Sequence, residues 1–209
     1  MKHIYLFILF LVFSGSLFGQ KKLFKEYDAK GIETLFIESD EIFQIKLTTS
    51  QTDKISIYTV IEGETFESSL LNTKRIEKQL NITTGRTPDF IPFNDKLSAH
   101  KILSIVLEIT IPEYMTIDIY SALASVEASG NYKNVRINLD RGGCQFSNFS
   151  FRESAYINTI SGNIHIRTTQ VQIVAQSRNG NIVIPYGMTG DHAIHLKSIH
   201  GDITVENSQ

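Results

Sequence analysis

Three short segments in the last third of the chain repeat one pattern, and that pattern limits the possible folds more than any other feature. They are Ile160-Ser161-Gly162-Asn163-Ile164-His165-Ile166, Arg178-Asn179-Gly180-Asn181-Ile182-Val183-Ile184 and Ile199-His200-Gly201-Asp202-Ile203-Thr204-Val205. Each places a glycine before Asn or Asp, followed by two branched apolar residues with one residue between them. The glycines are 18 and 21 residues apart. A recurrence of that length marks a repeat architecture, in which a unit buries its apolar face only by stacking on its neighbours. Aligned backward, residues 137–146 match at an offset of 20 and residues 119–128 at a further 18. The corner position is then Ala124, Gly142, Gly162, Gly180 and Gly201.

Strand alternation assigns faces to these copies. Val126 and Ala128, Cys144 and Phe146, Ile164 and Ile166, Ile182 and Ile184, and Ile203 and Val205 form two inward columns. Ile119, Ile137, Ile157, Ala175 and Leu196 form a third, while Asn138, Asn158, Gln176 and Lys197 form a polar outward column, and Asp118 falls beside Arg136. The expected fold is all-β: a β-solenoid with about 18–21 residues per turn in residues 113–209. It is continuous, as one domain, with an irregular β-rich half over residues 20–112. The corner glycines Gly142, Gly162, Gly180 and Gly201 supply positive φ or close backbone approach between turns. Gly-Asn and Gly-Asp between β runs are also hairpin signals, so an antiparallel β-sandwich is the alternative. Contacts among Ile164, Ile182 and Ile203 discriminate the two.

The first half alternates in the same β manner. Residues 35–38, 43–48, 54–60 and 79–83 read as strands rich in Ile, Phe, Tyr and Thr. Residues 65–78 lack a helical apolar stripe and read as a loop or a short turn of helix. Residues 85–100, with Pro88 and Pro92, read as a long loop that carries Phe90, Ile91 and Phe93, the candidate binding residues. Residues 101–111 are a near-continuous apolar run, expected to be a strand covered on both faces and ended by Pro112.

Residues 1–19 have the layout of a secretory signal peptide: Lys2 and His3, an apolar run over 4–13, then a small-residue exit. That run is about half of what a membrane span needs. Cleavage before Gln20 is the expected site, with cleavage after Ser16 the alternative. The exported chain is therefore expected in the periplasm, at the cell surface or outside the cell, with no stable membrane insertion. Its formal charge is −2 over the whole sequence, or about −3 without Lys2, which gives no basic field for nucleic acid. The single cysteine, Cys144, excludes an internal disulfide and sits at an apolar repeat position, where a buried thiol behaves as a small hydrophobe.

The strand end Glu108-Ile109-Thr110-Ile111-Pro112 and the turns Ser161-Gly162-Asn163-Ile164, Asn179-Gly180-Asn181-Ile182 and His200-Gly201-Asp202-Ile203 resemble the bacterial putative-adhesin family, which includes the auto-transporter head-GIN group. The resemblance covers most of the chain after the leader and marks fold more than function; the copy at Ala124 departs from it. The leader's Leu17-Phe18-Gly19-Gln20 is similar to those of the Bacteroidetes group. The family resemblance implies a β-solenoid of unsettled activity.

No catalytic or metal-binding constellation emerges from the residues, and no cofactor is expected. His192 and His195 point oppositely in a strand, and His165 and His200 fall in different columns. Asp118, Glu127, Asp140 and Glu153 also fall in different columns, which leaves a polysaccharide-processing β-helix enzyme only as the alternative. No phosphate loop, nucleophile elbow or dinucleotide fingerprint is present. The expectation is an exported, non-enzymatic module of the cell envelope. Its partner is an envelope or extracellular glycan or protein, bound through a sheet face or the 85–100 loop, and its oligomeric state stays open.

Overall fold

The computed structural model describes residues 20–63, 66–89 and 103–208. The leader and the candidate binding residues Phe90, Ile91 and Phe93 lie outside the described residues. Strands in chain order are β1 (Gln20–Asp28), β2 (Thr34–Glu38), β3 (Ile42–Ser50), β4 (Lys54–Gly63), β5 (Ser69–Ile76), β6 (Gln79–Arg86), β7 (Leu103–Pro112), β8 (Thr116–Ser121), β9 (Ser125–Arg141), β10 (Cys144–Ser161), β11 (Ile164–Thr168), β12 (Val171–Ser177), β13 (Ile182–Val183), β14 (His192–His200) and β15 (Ile203–Asn207). Among the described residues there is no α-helix, only a 3-10 turn at Phe66–Ser68.

All fifteen strands join in one sheet with two arms. The first arm runs β1-β4-β7-β3-β9-β10-β11-β15-β13, and the second runs β5-β6-β2-β8-β9-β10-β14-β12. Long β9 and β10 belong to both arms because each bends midway. Gly130 sits at that bend with φ +107°, and a Cβ there would stand 2.0 Å from Thr49 Oγ1. Asn148, with φ 48°, takes the same place in β10, where the register shifts. Tyr132, Phe146, Phe149 and Phe151 pack inside the bend, with neighbouring rings 4.8–5.8 Å apart. The buried Tyr132 hydroxyl donates to the Ser129 and Leu47 carbonyls.

Antiparallel pairing among the described residues is confined to the first half: β1–β4, β4–β7 and β5–β6. From β8 onward every ladder is parallel, and apolar inward residues mostly meet apolar inward residues. Val126 pairs with Cys144, Cys144 with Ile164, and Ile164 with Ile203. Ile119 pairs with Ile137, Ile137 with Ile157, and Ile157 with Leu196. Asp118 lies beside Arg136. The strands that flank Gly162, β10 and β11, pair only in parallel, Cys144 with Ile164, whereas a hairpin would require an antiparallel ladder across the corner.

The stacking order departs from chain order. Ile203, not Ile182, lies against Ile164, and Ile182 pairs with Ile203 from outside. Leu196 likewise lies between Ile157 and Ala175. The chain therefore places β12–β13 at the outer end and returns to insert β14–β15 beneath them. Ile182 and Ile184 are consequently exposed and Ala175 is only half-buried, against the expectation of an inward column. The inserted unit carries Ile194, Leu196, Ile203 and Val205, all buried, so the more apolar copy holds the doubly covered position.

Three other expectations change. Residues 69–76 are strand β5, turned into β6 through Glu77 at φ 52°, so that apolar Leu71 reaches the core. Gly85 lies within β6 rather than opening a loop. In β7, Ile105, Leu107, Ile109 and Ile111 are buried, but exposed Glu108 faces out to Lys46 at 3.0 Å, so only one face is fully covered.

Candidate sheet-face binding site

At the aligned corner positions four glycines meet the backbone of the neighbouring layer, and side-chain hydroxyls bridge three of these contacts. A Cβ on Gly142 would stand 2.2 Å from the Ala124 carbonyl oxygen; on Gly162, 2.0 Å from that of Gly142; on Gly201, 2.0 Å from that of Gly162; and on Gly180, 2.1 Å from that of Gly201. Only Gly142 among these has positive φ, so close backbone approach is what excludes a side chain. Side-chain hydroxyls then reach one layer across. Thr159 donates to the Gly142 carbonyl at 3.1 Å, Ser198 to Gly162 at 3.1 Å, and Ser177 to Gly201 at 2.8 Å. The Asn/Asp column adds Asp202 N–H to Asn163 Oδ1 at 2.9 Å and Asn181 N–H to Asp202 Oδ1 at 2.7 Å. The hydroxyl column escaped the sequence reading. Its signal was present as Ser121, Thr159, Ser177 and Ser198, each three residues before a corner position.

These corners hold the second arm's outward face in strict register. One row across it runs Asn81, Phe36, Asp118, Arg136, Tyr156, His195, Val174; the next runs Thr83, Glu38, Tyr120, Asn138, Asn158, Lys197, Gln176. Neighbours in a row are about 4.8 Å apart. Tyr156 is 42% exposed, and its ring stacks on His195 at 4.8 Å and 10°. Asn158 donates through Nδ2 to Asn138 Oδ1 at 3.0 Å, which orients the two amides along the ladder. Beside them a shallow cleft of about 300 Å³ is lined by Asn138, Asp140, Asn158, Ile160, Lys197 and Ile199, among others. An aromatic face, exposed aliphatic side chains, two aligned amides, an ammonium and a carboxylate thus share one flat patch. Such a patch can stack against the C–H face of a ring and bond its hydroxyls.

A larger cleft of about 680 Å³ lies at the far turn, lined by Asp28, Lys30, Glu33, Asp53, Glu113, Tyr114 and Lys133, among others. Glu33 is paired with Lys78 at 2.6 Å, and that hydrogen bond holds its carboxyl below the ordinary range. A general acid needs the opposite shift. Glu113 accepts from Asn131 at 2.7 Å. The other carboxylates singled out in the sequence stay apart: Glu127 accepts from Gln44, and Glu153 from Asn134 and Lys133.

The histidines also disperse. His192 lies 6.4 Å from the Phe151 ring, His195 stacks on Tyr156, His165 approaches Glu206 at 3.5 Å, and His200 Nδ1 meets Asn179 Nδ2 at 3.1 Å. Among the described residues no group of three His, Cys, Asp or Glu is placed to hold a metal ion. Cys144 is fully buried, and loss of hydration pushes its thiol up to about 12, away from nucleophilic chemistry. No described helix is long and apolar enough to cross a membrane.

No protein-family model matches the sequence, and no curated protein matches it significantly. Among solved structures the fold is similar to that of a putative cell adhesion protein from Clostridium sporogenes ATCC 15579. The TM-score is 0.63 at 13% identity, over 90% of this chain and 100% of that one. A putative adhesin from Bacteroides fragilis NCTC 9343 matches at TM-score 0.34 and 14% identity, over 90% of this chain and 97% of that one. A putative adhesin from Parabacteroides merdae ATCC 43184 matches at TM-score 0.30 and 12% identity, over the same shares. The chain is all-β and shares its fold with a protein described as a putative cell adhesion protein.

Proposed function

We propose that this chain is an exported, non-enzymatic binding module of the cell envelope, adhesin-like in role, which holds a glycan across the outward face of its second arm. The observation that carries this reading is the in-register patch of Tyr156, His195, Asn138, Asn158 and Lys197 beside the shallow cleft. We read the parallel layers as the coils of a β-solenoid continuous with the first half as one domain, and the chain as a relative of the bacterial putative-adhesin family. The like-with-like ladders and the 18–21-residue spacing support that reading. A rigid ladder suits a polymeric ligand, since it presents an outward side chain about every 4.8 Å.

A glycan array probed with the mature chain tests the reading, followed by titration of any hit against Tyr156→Ala and Asn158→Ala. Both side chains point outward, so the fold is kept while affinity falls at least about tenfold, the scale of one lost stacking or amide contact. Deleting residues 88–95 is the parallel arm. Attachment lost by that deletion, and untouched by the two substitutions, moves the site to Phe90, Ile91 and Phe93. An array with no hit removes the glycan reading.

A further inference from the structure

The two ends of the stacked sheet are finished differently. At the first end the edges of β1 and β5 are tied to each other. Lys21 Nζ donates to the Ser69 carbonyl at 3.2 Å, Lys25 Nζ donates to the Leu71 carbonyl at 2.8 Å and to Thr73 Oγ1 at 3.1 Å, and the Tyr27 hydroxyl meets Thr73 Oγ1. Lysines on an edge strand are a common way to stop another strand from adding to it. At the other end nothing comparable is present among the described residues. There β12 pairs only with β14, and β13 only with β15.

The core is only partly covered at that end, where Val171 is buried and Met188 packs against it. Ile194 and Leu196, one layer in, are buried, whereas Ile173 and Ala175 above them are half-exposed. Val174, Ile182 and Val183 are 51%, 42% and 58% exposed, and Tyr186 is fully exposed. A repeat stack whose last layer leaves apolar side chains half-exposed gains from a cap.

The sequence of that layer says what the cap is. Residues 171–177 and 182–186 carry no charge, so apposition of two copies sets no like charges against each other. The run Gln172-Ile173-Val174-Ala175-Gln176 is nearly palindromic about Val174. In an antiparallel pairing centred there, Val174 meets Val174, Gln172 meets Gln176, and Ile173 meets Ala175. The three central pairings are then matched in character, with the apolar pair on the core side, and only the end pair, Val171 with Ser177, is mixed. The lysine-tied first end offers no such edge, so head-to-tail growth is disfavoured.

We propose that the β12 edge is the docking surface for a second copy of this chain, joined β12 to β12 about a two-fold axis through Val174. The contact is isologous and closes at two copies. Each copy supplies the layer the other lacks, and both glycan faces stay open, since the outward arm face lies beside the edge rather than under it.

Sedimentation of the mature protein over a dilution series tests this. A reversible dimer that grows no further is expected. Val174→Lys, at an exposed position, sets two ammonium groups against each other and raises the dimer dissociation constant at least about tenfold, with an unchanged circular dichroism spectrum. Val174→Cys gives a disulfide-linked dimer on mild oxidation, because directly opposed antiparallel residues fall within disulfide reach. A monomer at every concentration, a dimer indifferent to Val174→Lys with no Val174→Cys cross-link, or growth into long assemblies would each overturn the proposal.

Discussion

The carbonyl oxygen of Gly162 lies 2.0 Å from where a Cβ on Gly201 would stand, although the two glycines are 39 residues apart in the chain. Backbone meets backbone there, and no rotamer change relieves the overlap. Gly162→Ala and Gly201→Ala are each expected to cost about 2–3 kcal/mol, at the upper end of single-substitution effects. Gly85→Ala is the control, since the only atom under 3.0 Å is the end of the flexible Asn72 side chain. Urea unfolding of the three variants measures the difference.

Ser198 is buried and its hydroxyl donates to the Gly162 carbonyl. Ser198→Ala leaves that carbonyl short of a partner and is expected to lower stability by about 1–2 kcal/mol. Exposed Ser147→Ala stays within about 0.5 kcal/mol. Equal midpoints for the two would remove the corner hydroxyls from the account.

The exchanged order of the last two layers has its own signature. Leu196→Ala empties a doubly covered site and is expected to cost about 2–5 kcal/mol. Ile182→Ala, in the half-exposed outer layer, costs under about 1 kcal/mol in the monomer. Stacking in chain order would make Ile182 interior and raise its cost to the level of Leu196.

Cys144 gives a pH-dependent prediction. Burial raises its folded pKa from 9.0 to about 12, so the folded chain keeps a proton that the unfolded chain gives up. The stability tied to that proton is full below about 9 and falls as pH rises from there toward 12. Cys144→Ala flattens this part of the profile, as thermal melts at alkaline pH would show. In the native protein at mildly basic pH the thiol is expected to stay unreactive toward a disulfide reagent until the chain unfolds.

Glu206 shows the opposite sign. Arg167 donates to it at 2.8 and 3.1 Å and, with His165 nearby, holds its carboxyl below the ordinary range. Its contribution is present above the unfolded carboxyl's pKa and is lost as pH falls through the folded one. The melting-point gap between wild type and Glu206→Gln should therefore close on acidification. A gap that widened would contradict the pairing.

Much of this was legible from residue order. Local alternation is enough to place a strand and its inward face, and a recurrence of glycine before Asn or Asp is enough to align copies at Ala124, Gly142, Gly162, Gly180 and Gly201. Strand β5 was harder, since Thr73, Lys74 and Arg75 carry no alternation; pairing with β6 makes it a strand. The patch around Tyr156 was legible only in part, since Asn138, Asn158 and Lys197 align as one polar column but Tyr156 and His195 do not announce themselves. The ladder register of β10 and β14 is what sets Tyr156 against His195 beside that column.

The sequence by itself aligned the corner positions and the inward columns of the buried strands, because these follow from side-chain volume and from strand alternation. The order in which the turns stack was decided by tertiary structure. Any copy of the pattern can pair with any other, since parallel backbone ladders are indifferent to which like-faced strand arrives. Total burial selects among the orders, and it places Leu196 and Ile203 inside and leaves Ile182 at the end. The glycines that aligned these segments thus mark the corners without fixing the order in which the strands stack.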